Sequence, residues 1–105
     1  MAKIPNTIIN KVKNYIDILN KNGFLIKQAV LFGSYVNGNY NKWSDIDIAL
    51  VSDKFEGIRF NDRKKIRKFK FEVSADIEPL PYTPNDFSTN DPFVKRILKT
   101  GIRIV

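Results

Sequence analysis

Asp45 and Asp47 are the residues with the plainest chemistry in this chain. They sit in Ser-Asp-Ile-Asp-Ile-Ala-Leu-Val, where Ile46, Ile48 and Leu50 alternate with Asp45, Asp47 and Ala49. Alternation of this kind reads as a strand, with both carboxylates on one face and the isoleucines on the other. Two carboxylates about 6.6 Å apart along a strand repel each other. In an otherwise apolar strand they cost stability unless cations neutralise them. Flexible carboxylates at that separation can grip metal ions about 3.5–4 Å apart. Upstream, apolar Ala29 to Phe32 ends abruptly at Gly33-Ser34, as a strand ends where the backbone turns tightly. Gly33 lets a ligand approach the backbone. Ser34 adds a hydroxyl and an N–H near the start of an expected helix, which suits a phosphate. The chain has no histidine and no cysteine. An imidazole base, a thiolate nucleophile and a cysteine-held zinc are therefore excluded, and chemistry must rest on carboxylates, hydroxyls, lysines and metal. A plainer reading makes Gly33-Ser34 an ordinary turn and the aspartates exposed edge residues; apolar Ile46 and Ile48 argue instead for a buried strand.

Gly33-Ser34, ten intervening residues and then Asp45-Ile46-Asp47 resemble the signature of the nucleotidyltransferase superfamily related to DNA polymerase β. The wording Leu-Phe-Gly-Ser-Tyr and Ser-Asp-Ile-Asp-Ile-Ala-Leu-Val-Ser is similar to its minimal nucleotidyltransferase branch. The resemblance implies an α/β fold in which helices flank a small mixed sheet, as one domain over residues 1–105. It implies transfer of a nucleoside monophosphate from a triphosphate to a hydroxyl, with ATP as donor. Asp45 and Asp47 would hold Mg²⁺, two ions in all, and Gly33 and Ser34 the β- and γ-phosphates. A third carboxylate from a neighbouring strand completes the triad in this superfamily. Ala75-Asp76-Ile77 matches that pattern, so Asp76 is the expected member, with Glu78 before Pro79 as the alternative. Minimal members resemble antitoxins that modify a tyrosine of a separate HEPN-domain toxin, so a toxin of that kind is the expected partner. Asn37 departs from the pattern, since members often carry a basic residue there. Two rival readings are a non-catalytic antitoxin that acts by contact, and a small-molecule or RNA nucleotidyltransferase completed by a partner chain.

The elements that must position these residues follow from periodicity. Ile9, Val12, Ile16 and Leu19 mark an amphipathic helix over Pro5 to Asn22, ending at Asn22-Gly23. Phe24 to Gln28 leads into the first strand, and Tyr35 to Tyr40 forms a short helix broken near Gly38. Trp43 is expected as a half-buried loop aromatic, with base stacking as the lesser alternative. Ser52 to Gly57 is a loop, and Asn61 caps a short basic helix ending near Lys68. From Phe69 the period changes to two: Phe69, Phe71, Val73, Ala75 and Ile77 alternate with polar residues, predicting a half-polar strand that carries Asp76 and Glu78. Pro79 to Pro92 reads as loop. Phe93 to Thr100 reads as a helix with Phe93, Ile97 and Leu98 inward, followed by a last short strand over Ile102 to Val105.

At 105 residues and 43% hydrophobic content the chain can bury the core of one domain. The opening Met-Ala-Lys-Ile-Pro-Asn lacks an apolar signal core, and no apolar run reaches membrane-spanning length, so a cytoplasmic protein is expected. The formal charge is +7, concentrated in Arg59 to Lys70, where seven cations face Asp62 alone. Such a run suits an anionic partner, whether a nucleotide tail, RNA or an acidic protein; a solvated helix face is the equal alternative. Direct nucleic-acid binding through 59–70 is possible but not favoured.

Overall fold

The computed structural model describes residues 4–105; residues 1–3, part of the opening read as lacking a signal core, lie outside them. Among the described residues four helices and four strands alternate. The first helix, α1 (Asn6–Lys21), buries Ile8, Val12, Tyr15, Ile16 and Leu19. The strand β1 (Gln28–Phe32) then enters the middle of the sheet. A single turn of helix, α2 (Ser34–Asn37), follows, closed by Gly38 in the left-handed conformation. Next come β2 (Ile46–Val51), α3 (Arg59–Lys70), β3 (Ile77–Tyr82), α4 (Pro92–Thr100) and β4 (Ile102–Arg103). The strands lie in the order β3-β2-β1-β4. β1 runs antiparallel to both β2 and β4, whereas β2 and β3 are parallel. A parallel pair requires a crossover, and α3 is that crossover. The expected mixed sheet flanked by helices is the observed fold.

Each sheet face has its own apolar layer. On one, Ile46, Ile48, Leu50 and Ile77 meet α1 and Ile66 of α3. On the other, Val30, Ala49, Val51 and Tyr82 meet Val94 and Ile97 of α4. Ile48 is wholly buried, and truncating such a side chain to alanine costs about 2–5 kcal/mol. The Tyr15 hydroxyl donates to the Ile66 carbonyl at 2.8 Å, pinning α1 to α3. Burial pushes the Tyr15 hydroxyl pKa well above its ordinary value. Asp62, also buried, accepts the backbone N–H groups of Glu56 and Gly57 at 2.9 Å each and so fixes the entry to α3.

Several local expectations are corrected. The strand expected from Phe69 starts only at Ile77: α3 runs on to Lys70, and residues 71–76 form turns. Asp62, Ile66 and Lys70, spaced i, i+4, i+8, are the buried face of that helix, and Phe69 packs against the core from it. The two-residue alternation is incidental, since Phe71 is exposed. Asn61 is not the cap; the helix opens after Ile58 with no side-chain cap.

The true third strand occupies part of the stretch expected as loop, despite Pro79 and Pro81. β3 is an edge strand, and Ile46 and Ser52 donate to the carbonyls of Asp76 and Tyr82. Even-numbered residues of β3 thus turn their backbone groups to β2, while positions 79 and 81 face outward, where a missing N–H costs nothing. On α4 the buried side chains are Val94 and Ile97; Phe93 and Leu98 lie at the surface. Trp43 is 76% exposed rather than half-buried, with the Lys42 ammonium 4.3 Å from its ring centre. The last strand is shorter than expected, two residues.

Candidate active site

Asp47 is the second residue of β2, and its side chain shares a face with Ala49 and Val51. Pairing across the sheet sets its neighbours. Phe32, the last residue of β1, is its antiparallel partner, and Glu78 of β3 is its parallel partner. Directly paired residues on adjacent strands project to the same side. Glu78 therefore stands beside Asp47 on the α4 face. Asp45, exposed just before β2, completes a shallow hollow of about 320 Å³, lined by Phe32, Asp45, Asp47, Arg63, Glu78, Pro79, Leu80 and Phe93. Phe32 and Phe93 meet edge to face, with ring centres 5.8 Å apart, and form its apolar wall.

Gly33 brings the turn after β1 against this hollow. Its φ is 81°, a conformation that L side chains rarely adopt. A Cβ at this position would overlap the Asp47 carboxylate, its Oδ2 first. The backbone of Gly33 and the acid of Asp47 are thus in direct apposition. Ser34 opens α2 immediately afterwards. Because α2 is a single turn, what the turn offers a ligand is the Ser34 hydroxyl and the unpaired N–H groups of a helix start, rather than a long helix dipole.

Charge is distributed unevenly here. Arg63 of α3 donates to Glu78 Oε2, and the Lys70 ammonium lies 3.4 Å from Glu78 Oε1. Lys70 is only 2% exposed, so a buried cation is committed to one carboxylate of the hollow. Among the described residues no cation pairs with Asp45 or Asp47. Burial, then the nearby Asp45 and Glu78 carboxylates, push the Asp47 pKa up from 3.8 to about 6. Asp45 and Asp47 are acceptor oxygens without a compensating cation, which suits a hard divalent ion such as Mg²⁺. Among the described residues no three acidic side chains are gathered tightly enough to hold an ion as they stand. Glu78 is turned toward Arg63 and Lys70.

Of the residues singled out in the sequence, Gly33, Asp45 and Asp47 come together, with Ser34 next to them. Asp76 does not join them. It lies exposed in the turn before β3, and its carbonyl takes the bond from the Ile46 N–H at 2.9 Å. Glu78, the alternative, occupies the hollow. The flanking Ala75 and Ile77 single out Asp76 by pattern, but β3 begins only at Ile77 and its register sets Glu78 opposite Asp47. Sequence reasoning also missed Arg63 and Lys70 as neighbours of the site. The recurrence of Asp62, Ile66 and Lys70 on one helical face was the available signal.

A parallel edge strand, a glycine turn apposed to an aspartate and a second aspartate two residues before it thus meet at one end of the sheet. The chain belongs to the family described as "Nucleotidyltransferase domain", matching it over residues 9–104, and it is a nucleotidyltransferase enzyme. Two relatives from Methanocaldococcus jannaschii bear the names "Putative protein adenylyltransferase MJ0604" and "Putative protein adenylyltransferase MJ1305". The first is 35% identical over 69 residues, covering 64% of this chain and 69% of that protein. The second is 29% identical over 82 residues, covering 72% of this chain and 55%, about half, of that protein. Among solved structures, one described as a "putative nucleotidyltransferase from Sulfolobus solfataricus" superposes with a TM-score of 0.66 at 17% identity, covering 98% of this chain and 89% of that one. A toxin–antitoxin crystallised with AMP-PNP superposes with a TM-score of 0.62 at 20% identity, covering 92% and 72%. A mutant of the toxin–antitoxin MntA-HpeT does so with the same values. At these identities the structural likeness concerns the fold.

Proposed function

We propose that this chain transfers AMP from ATP to a hydroxyl of a partner protein, with Mg²⁺ held by Asp45, Asp47 and Glu78. The observation that carries the reading is the pairing of Glu78 with Asp47 beside Asp45, against the Gly33 turn. Divalent ions bound there would align the triphosphate and neutralise charge at the α-phosphorus. Gly33 allows the phosphates to approach the backbone, and the Ser34 hydroxyl donates to a β- or γ-oxygen. In the transfer, the acceptor oxygen bonds to the α-phosphorus, the bond to the bridging oxygen breaks and pyrophosphate leaves. The acceptor's proton passes to a carboxylate of the hollow, since the chain has no histidine.

A protein acceptor is supported by the names of the relatives MJ0604 and MJ1305, and a toxin partner by the fold shared with toxin–antitoxin structures. The resemblance of the sequence motif extends this to a HEPN-domain toxin modified on tyrosine. The test is to purify the protein with whatever binds it, add ATP and Mg²⁺, and record intact masses. A partner gaining one or more AMP groups supports the reading. A partner that stays bound and unmodified, with no pyrophosphate released, would support an antitoxin that acts by contact alone.

A further inference from the structure

The exposed side of α3 carries a surface that the catalytic reading does not use. Phe60, Arg63, Lys64, Arg67, Lys68 and Phe71 line one open groove of about 670 Å³. Their spacing along the helix, i, i+3, i+4, i+7, i+8 and i+11, makes a single stripe. Phe60 is 76% exposed and Phe71 62%, two large aromatic rings that no core needs. Among the described residues Lys64, Arg67 and Lys68 have no acidic partner. Arg63 lines both this groove and the carboxylate hollow, so the stripe runs up to the site. Lys65, in the same basic run, is elsewhere: it pairs with Glu56 at 3.7 Å and does not line the groove.

We infer that this stripe docks an acidic segment of the acceptor protein, with an apolar side chain seated at each aromatic end. The inference rests on the proposed protein-acceptor reading and names the recognition chemistry beside that site. Charge complementarity supplies the first argument, since a row of free cations favours an anionic strand of chain. Ring spacing supplies the second. Eleven residues of helix separate Phe60 and Phe71 by about 16 Å, a span covered by about five residues of extended polypeptide. Single-stranded nucleic acid is held instead by rings that stack successive bases, and between these two rings the groove holds only cations. Docked there, the segment would bring a nearby hydroxyl past Arg63 toward Asp45 and Asp47.

The experiment uses a fluorescein-labelled synthetic peptide with two leucines and about four acidic residues between them, and labelled oligouridylate of similar length, titrated without ATP or metal. The peptide is expected to bind and to weaken as salt rises. Lys64→Glu with Lys68→Glu should weaken it at least about tenfold and Phe60→Ala at least about threefold. Lys65→Glu should change it less than about twofold. Equal loss with Lys65→Glu would reduce the effect to net charge and overturn the proposal. So would tighter binding of oligouridylate through the same residues, or no peptide binding at all. Because no nucleotide is present, a failure of AMP transfer leaves a positive titration standing. AMP transfer by a protein that does not bind the peptide would overturn the docking stripe and spare the catalytic reading.

Discussion

Glu78 stands directly opposite Asp47 in the parallel pairing of β3 with β2, while Asp76 lies two residues earlier in an exposed turn. The two acids should therefore separate cleanly by mutation. Glu78→Gln is expected to lower AMP transfer by at least about 100-fold, the scale on which loss of one transition-state electrostatic contact is felt. Asp76→Asn should stay within about twofold, because only its backbone carbonyl is engaged with the sheet. The same rates for both variants would remove Glu78 from the machinery.

Gly33→Ala tests the apposition of the turn and the acid. The added Cβ meets the Asp47 carboxylate at a backbone φ of 81°, so both strain and displacement follow. A loss of about 1–3 kcal/mol is expected in urea unfolding, together with loss of ATP binding measured by calorimetry. Ser34→Ala should instead leave stability unchanged and weaken ATP by one hydrogen bond, about 0.5–3 kcal/mol.

Mg²⁺ should stabilise the folded protein by binding it alone. At a concentration one hundred times its Kd the gain is about 2.7 kcal/mol, several degrees in a melting scan. Asp47→Asn should remove most of that gain while leaving the metal-free protein as stable as before or more so. A metal-free Asp47→Asn protein that is strongly destabilised would make Asp47 a structural residue.

The pH dependence follows from the same carboxyl. Its pKa is about 6 in the folded state, against 3.8 for the ordinary group. Between about pH 4 and pH 6 the folded state therefore holds more protons than the unfolded one, and stability falls as pH rises through that window. Above about pH 6 this contribution levels off. The site is half exposed, so solvent screening limits the effect to about 2 kcal/mol or less. Urea unfolding in EDTA at pH 4.5 and pH 7 should show the decline, and Asp47→Asn should flatten it.

Lys70 is buried with its ammonium 3.4 Å from Glu78, and is expected to act by positioning that carboxylate. Lys70→Met removes the charge while keeping most of the volume. It should raise the Mg²⁺ concentration needed for half-maximal transfer or shift kcat more than KM, effects that a packing defect would not select. Rescue by Lys70→Arg would locate the effect in the charge.

The Asp45-Ile46-Asp47 strand, the turn at Gly33 and the amphipathic α1 were readable because each is set by local spacing: apolar residues at period two or 3.6, and a glycine where a strand stops. The mixed sheet and the family followed from the same stretch. What local spacing did not decide was β3. The run from Phe69 to Ile77 fits a period of two as well as the end of a helix, and only the burial of Ile66 and Lys70 against the sheet settles which applies. Pro79 and Pro81 looked like loop signals until edge placement turned their missing donors outward. The choice of Glu78 over Asp76 hung on that strand's start, because register across a parallel pair is a property of two segments brought together. The sequence by itself determined the family, roughly how the chain is built, and which acids and which turn are candidates for its chemistry. Tertiary packing alone decided which third acid meets Asp47, and that Arg63 and Lys70 would hold it, since those contacts join segments whose spacing along the chain carries no period.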